Sequence, residues 1–371
     1  VTPPPAVPPE PGNALAVLVG TASQVRPDEL PAVPQAAQSV RALADALIGP
    51  HGCFDHPAGV RTIIDPPDAN AVLEAIVRTR ADAPADRAPD VLLFYFAGHG
   101  FAVDDERQLR LALPATLSTR RGDGPSLPIG EVFAAMTRTG ARRPVAILDC
   151  CFSGLALHAP QAARIHLLTA AGEGYQAGFL TGRPDLPTAF TGALVALLRH
   201  GVPDAGPHLD LGTLYRQLAV TMPAADPPRP EPAQRAVDDS ADLALAVNPA
   251  DGTTRSRTGL RRRHSFALNA RTAARRAADF DDRNRAVRHL GLAVHEMRAV
   301  AADATRALGP SDPETLYYQE LAAVLLGESG GVDEARTLLG RLAAQLEGRP
   351  AHAERLASVQ ASLTRWDPAR N

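Results

Sequence analysis

The chain has 371 residues, 45% of them hydrophobic and 21% charged, with a formal net charge of −3 at pH 7. That is long enough for two domains, and a balance so near neutrality excludes a whole-chain attraction to nucleic acid or to an anionic membrane. Three cysteines, two of them adjacent, give neither a disulfide framework nor a zinc ribbon, so a reducing cytoplasm is the expected setting.

Residues 1–12, with five prolines in the first nine, read as a disordered leader lacking the basic start and apolar core of a signal peptide. No stretch approaches the ~20 apolar residues that cross a bilayer. Ala14–Gly20 is an apolar run of strand length, and helical spacing follows over Val33–Ile48. Val60–Ile64 is the next strand and Ala69–Arg80 the next helix. Val91–Phe96 and Pro144–Leu148 are strands, with the helix Ile129–Met136 between them. Ile165–Ala170 and Leu243–Val247 complete the set, with helices at Thr188–Arg199 and Leu211–Met222. Residues 222–236, dense in proline and arginine, read as a loop before the last strand. Strands apolar on both faces, alternating with helices, predict an α/β domain over residues 13–249 with a mainly parallel, helix-flanked sheet.

Residues 250–264 are polar and basic and read as an exposed linker. Within them Arg261–Arg263 and His264 are expected to be solvated rather than to bind phosphate. From 265 to 371 no strand pattern survives, and the region is predicted to be all-α. Leu308–Leu346 carries apolar residues at three- and four-residue steps on both sides of the Gly327–Gly331 break. This helix–turn–helix unit resembles a long-type tetratricopeptide repeat, whose Gly-Pro-x-Asp-Pro-Glu-Thr-Leu entry is held within Leu308–Leu316. Arg283–Leu308 and Ala351–Trp366 are candidate degenerate flanks, Trp366 capping the tail; a plain helical bundle is the alternative.

Two strand ends carry the chemistry. Phe94-Tyr95-Phe96-Ala97-Gly98-His99-Gly100 stops a buried strand at a histidine bracketed by glycines, and Ile147-Leu148-Asp149-Cys150-Cys151 runs another into a cysteine pair. In an open parallel sheet, ligands bind beyond the carboxyl ends of the strands, so both reactive groups fall on one rim. A free thiol is only a few per cent ionised at neutral pH, and a neighbouring histidine can lower its pKa and later protonate a leaving amine. Side chains two apart share a strand face, so Asp149 and Cys151 point together and Cys150 points into the packing. Cys151 is thus the candidate nucleophile and His99 its general base. The backbone amides of Gly100 and Cys151 are candidate oxyanion donors. Asp149 disfavours a nearby thiolate, so it either receives a cationic substrate group or caps the turn; both readings stand. A zinc site at Cys150, Cys151 and His99 lacks a fourth ligand, and His51 and His56 near Cys53 read as surface residues.

Together these segments resemble the caspase-fold cysteine peptidases, in particular the metacaspases and their bacterial relatives. Those carry an aromatic-rich strand ending in Ser/Ala-Gly-His-Gly and a second ending in Asp-Ser/Cys-Cys-His/Phe-Ser-Gly. Cys151 lies 52 residues after His99, against about 50 for the caspase-type dyad. The resemblance spans about residues 14–248, including HLLTAAGEG after the cysteines and the helix TAFTGALVALLRHG. It implies a caspase-like, six-stranded α/β sheet and a Cys151–His99 dyad. It also makes Asp149 part of a specificity pocket for arginine or lysine, where caspases proper have glutamine. Phe152 replaces the usual histidine after the nucleophile. Gln35–Val40 lacks the asparagine–aspartate pair that gives many metacaspases a second pocket carboxylate. No cofactor is implied, and the calcium-binding acidic cluster of some metacaspases has no counterpart that can be placed here. The expected function is a cysteine endopeptidase in regulated proteolysis, such as defence or cell death. Its substrate is a protein or peptide, with a protein partner at the C-terminal helices and no nucleic acid or membrane. The alternatives are a catalytically idle scaffold that binds through those helices, or hydrolysis of a non-peptide amide. The short Leu155–Arg164 segment predicts that the chain works uncut.

Overall fold

The computed structural model describes residues 6–55, 57–84, 87–102, 108–119, 124–172 and 183–366. The first part of the chain runs β1 (Ala14–Gly20), α1 (Pro34–Ile48), β2 (Val60–Ile64), α2 (Ala69–Asp82) and β3 (Val91–Ala97). Three short strands follow, β4 (Gly100–Ala102), β5 (Leu109–Ala112) and β6 (Ser126–Pro128), then α3 (Ile129–Arg138), β7 (Arg143–Asp149) and β8 (His166–Thr169). After them come α4 (Ala189–His200), β9 (His208–Asp210), α5 (Leu211–Ala224), β10 (Ala233–Arg235) and β11 (Ala244–Val247).

Six strands form one sheet in the order β10-β8-β7-β3-β1-β2, parallel throughout except that β10 runs antiparallel to β8. β1 and β3 are buried at every position because both sheet faces are covered. Strict alternation divides their side chains between two cores. Leu15, Val17, Val19, Leu92, Phe94 and Phe96 pack with α2 and α3, whereas Ala16, Leu18, Leu93 and Tyr95 pack with α1, α4 and α5.

The sixth strand of the sheet is not the one the sequence suggested. Leu243–Val247 supplies β11, but it pairs with β9 in a separate two-stranded sheet. The edge place is taken by β10, inside the 222–236 segment read as loop; three half-buried residues, Ala-Gln-Arg, carry no apolar pattern to announce a strand. A second small sheet, β4-β5-β6, grows directly from the end of β3 and was also unannounced.

The described part of the leader is ordered, contrary to expectation. Val7 bridges Leu243, its amide donating to Asp242 at 2.7 Å and its carbonyl accepting from Ala244 at 3.0 Å. The Glu10 amide donates to Asp90 Oδ2 at 2.7 Å, and Asp90 in turn holds the buried Arg143, whose guanidinium also donates to the Pro8 carbonyl at 3.3 Å. Proline density does not preclude order here, since extended proline segments need few backbone partners of their own.

The chain divides into two compact units, Val1–Met222 with Asp226–Asp251, and Pro223–Ala225 with Gly252–Asn371. In the second, α6 (Arg257–Asp279), α7 (Arg283–Leu308), α8 (Pro313–Glu328), α9 (Val332–Leu346) and α10 (Ala353–Arg365) pack each against the next. The predicted linker is mostly helix: Ser256 caps α6 by accepting from the Gly259 amide, and α6 therefore begins within it. Its arginines are not free solvated charges. Arg261 pairs with Glu314 at 2.5 Å, and the buried Arg263 pairs with Glu296 at 2.5 Å and Asp303 at 2.8 Å. Asp312, with Pro313 at the first helical position, caps α8 by accepting from the Glu314 amide at 2.9 Å. Trp366 lies against Gly327, where any added side-chain carbon would meet the indole at 2.7 Å. Among the described residues no helix is long and apolar enough to cross a membrane.

Candidate active site

β3 and β7 are neighbours in register, with Ala97 opposite Asp149. His99 and Cys151 each lie two residues beyond those partners, so they leave the sheet at the same carboxyl rim. The two tips also touch. The Gly98 amide donates to the Asp149 carbonyl at 3.3 Å, and a carbon built on Gly100 would lie 2.3 Å from the Cys151 carbonyl oxygen and 2.8 Å from Cys150 Sγ. Gly98, at φ +151°, and Gly100 are therefore required for separate reasons, one for backbone conformation and one for close approach.

His99 is oriented by a residue far away in sequence. Its Nε2 lies 2.7 Å from the Pro31 carbonyl oxygen. A carbonyl only accepts, so Nε2 carries the hydrogen and Nδ1 is the basic nitrogen of the neutral ring. Burial lowers the imidazole pKa below its usual value, with the Pro31 hydrogen bond acting in the opposite direction. This favours a neutral base. Nothing in the local pattern marks Pro31 for this contact; only the loop's return over the rim creates it.

The cysteine pair divides by strand parity. Cys150 is fully buried on the Leu148 face, and burial pushes its thiol well above the ordinary range, as do the neighbouring Cys151 and Asp149. Cys151 is half-buried. The chain then turns sharply at Phe152, a bulky residue at φ +57°, which holds strain of about 1–3 kcal/mol. The following short helix is tied back by Ser153, whose hydroxyl accepts from the Ala171 amide at 3.3 Å. The Ala112 amide donates to the His99 carbonyl at 2.9 Å, so Gly100 and Leu111 form a non-hydrogen-bonded antiparallel pair. Gly100's own amide is thereby turned away from β5.

Asp149 fits neither of its two expected roles in simple form. It is 2% exposed, and its Oδ2 accepts hydroxyl hydrogen bonds from Thr188, from Thr191 at 2.5 Å and from Tyr95 at 3.4 Å. Ser39 adds a fourth hydroxyl behind Thr188, 3.2 Å from its Oγ1, and accepts from the Thr188 amide at 3.0 Å. Burial raises the Asp149 carboxyl above the ordinary carboxylate range, while these donors pull it back. Thr188 is also the N-cap of α4, so the Thr-x-x-Thr opening of that helix was the available signal for this cluster.

Cys53 is half-buried, its thiol pushed up to about 11 by burial and by Asp55. His51 is exposed, and His56 lies outside the described residues. Arg164 is exposed at the end of a short helix. Among the described residues no group of three or more histidine, cysteine, aspartate or glutamate side chains is arranged to hold a metal ion. No family model matches the chain, and no curated protein matches it.

Proposed function

We propose that the α/β unit is a caspase-like cysteine endopeptidase that cuts after arginine or lysine, with Cys151 as nucleophile and His99 as general base. The single observation that carries the reading is the meeting of the two strand tips at one rim, with the His99 ring fixed by Pro31 as a neutral base. In the proposed reaction His99 Nδ1 takes the Cys151 proton, and Sγ attacks the scissile carbonyl carbon. The Gly100 and Cys151 amides receive the oxyanion. Collapse breaks the C–N bond, His99 returns the proton to the leaving amine, and a thioester remains. Water, deprotonated by His99, then hydrolyses that thioester and frees the thiol. No cofactor enters these steps.

The preference for a basic residue rests on Asp149, a carboxylate on the same strand end as the nucleophile. Asp149 is buried and Thr188 and Thr191 occupy its Oδ2, so a guanidinium reaches the carboxylate only after local rearrangement. In this reading the chain acts in a cytoplasmic setting in regulated proteolysis, and the helical unit recruits a protein partner. A peptidyl-arginine chloromethyl ketone tests the chemistry directly. The expected adduct maps to Cys151 and not to Cys150, and is lost in His99→Ala. A folded protein that stays unlabelled contradicts the reading. A peptide-library profile without enrichment of arginine or lysine before the cut would confine Asp149 to its hydroxyl network.

A further inference from the structure

We infer that Asp65, at the end of β2, is a positioning residue that sets the His99 imidazole by fastening the loop that carries Pro31. The inference rests on the peptidase reading above. The loop in question leaves β1 after Gly20 and enters α1 at Pro34. Its neck closes on itself: the Val33 amide donates to the Ala22 carbonyl at 2.8 Å. A loop of this length with its ends joined is an Ω-loop, a unit that moves or stays as a whole. Pro31, two residues from the neck, presents its carbonyl oxygen to His99 Nε2.

Asp65 grips that neck. One carboxylate oxygen, Oδ1, accepts from the Ala22 amide at 2.7 Å and the Ser23 amide at 2.9 Å, and Oδ2 accepts from the Ser23 hydroxyl at 2.7 Å. The Asp65 amide donates to the Gly20 carbonyl at 2.8 Å, so the residue spans the last position of β1 and the first turn of the loop. It does so at φ +54°, a left-handed conformation that aspartate and asparagine tolerate better than most residues. Ala22 is thus held twice, its amide by Asp65 and its carbonyl by Val33.

The loop also bears, from its start at Thr21 to Leu30, on the segment that follows His99. Leu30, 4% exposed, packs with Phe101 and Ala112, the Val25 amide donates to the Pro114 carbonyl at 2.9 Å, and Thr21 Oγ1 donates to the Ala112 carbonyl at 3.0 Å. Leu30 and Pro31 are consecutive and both bear on the stretch from His99 to Phe101. Rotation of the loop about its neck therefore moves the Pro31 carbonyl relative to the imidazole. Three contacts from one side chain at the neck oppose that rotation. Misplacing a catalytic group by about 1 Å can cost on the order of 100-fold in rate.

Asp65→Gly removes the carboxylate while keeping the left-handed backbone free of strain, and Asp65→Asn keeps an acceptor for the two amides at the same place. The expected result is a fall of about 10–100-fold in kcat for Asp65→Gly with little change in KM. Iodoacetamide alkylation of Cys151 should slow, and its pH midpoint should move up toward that of an unassisted thiol, about 8.5. Asp65→Asn should stay within about threefold of the parent. Ser23→Ala, which removes only the Oδ2 contact, should shift the same readouts by a few-fold and serves if Asp65→Gly does not fold. Unchanged kcat and alkylation profile in folded Asp65→Gly, or in Ser23→Ala where that variant stands in, overturns the inference while the peptidase reading survives. A parent protein whose Cys151 shows no His99-dependent reactivity overturns both.

Discussion

At the scale of single residues, the site depends on how little room separates two backbones. A methyl group on Gly100 would meet the Cys151 carbonyl oxygen at 2.3 Å and Cys150 Sγ at 2.8 Å, so one strand tip must shift. Both atoms belong to a packed turn that the left-handed Phe152 already holds under strain. Gly100→Ala is therefore expected to lower kcat/KM by roughly 100-fold while the protein still folds. The measurement is hydrolysis of an arginyl peptide substrate alongside a melting curve. A folded Gly100→Ala variant with parental activity would mean that the close approach has no catalytic consequence. The burial of Cys150 and the rim position of Cys151 were legible from strand parity alone, because a period of two leaves only one of them facing the packed core. The Pro31 contact was not legible, and the hydroxyls around Asp149 were legible only in small part. A lone proline carbonyl has no sequence signature, and the Asp149 cluster gathers hydroxyls from β3, α1 and the start of α4, for which only the Thr-x-x-Thr opening of α4 offered a local sign.

At the scale of elements, what the sequence announced were the parts with strong apolar patterns. β1, β3 and β7 read as continuous buried runs, and every one is a central strand. What it concealed were short pieces whose place is set by partners, such as β10 at the sheet edge and β4–β6 beside the site. The start of α6 was concealed for a different reason. Three consecutive arginines suggested solvent, yet Arg263 is 3% exposed because Glu296 and Asp303 on α7 meet it there. Charge runs reveal exposure only when no opposing carboxylates return from a later element. Arg263→Met should accordingly destabilise the helical unit by about 3 kcal/mol, near the low end for breaking a buried pair. The low end applies because Arg306 at 2.5 Å and Arg255 at 3.2 Å remain on Asp303. The chain's single tryptophan, Trp366, packs in this unit against Gly327, so its fluorescence during urea titration reports the loss. An unmoved Trp366 transition would show that the pair contributes nothing net.

At the scale of the whole molecule, acid reaches the two units through different groups. In the helical unit, arginine partners hold the carboxyls of Asp303 and Glu328 below their ordinary values despite burial. Stability from those groups is present above the ordinary carboxylate range and is lost as pH falls from that range through the lowered folded values. His264 in that unit, its pKa lowered by burial, begins to act earlier in the same direction. The α/β unit carries a stronger device of that second kind. His166 on β8 is fully buried, and burial pushes its pKa down to about 4 from the ordinary 6.5. Its Nδ1 lies 2.8 Å from Ser240 Oγ, and its Nε2 lies 3.0 Å from the Gln234 side-chain nitrogen of the antiparallel edge strand β10. Gln234 Nε2 also donates to the Leu211 carbonyl at 3.3 Å, which fixes the amide with its hydrogens facing the ring. Nε2 must then accept, Nδ1 donates to Ser240, and a proton arriving at Nε2 meets another donor. The unfolded chain binds that proton near pH 6.5 and the folded chain only near 4, so stability is complete above 6.5 and falls as pH drops between the two. The difference amounts to about 3 kcal/mol across that window. In urea titrations followed by circular dichroism, the transition not shared with Trp366 should weaken by that amount from pH 7 to pH 4. His166→Asn, which can still donate to Ser240 but does not titrate, should remove most of the slope, leaving the smaller part due to the half-buried His99. Equal slopes in parent and variant would acquit His166 and place the acid sensitivity of the sheet elsewhere.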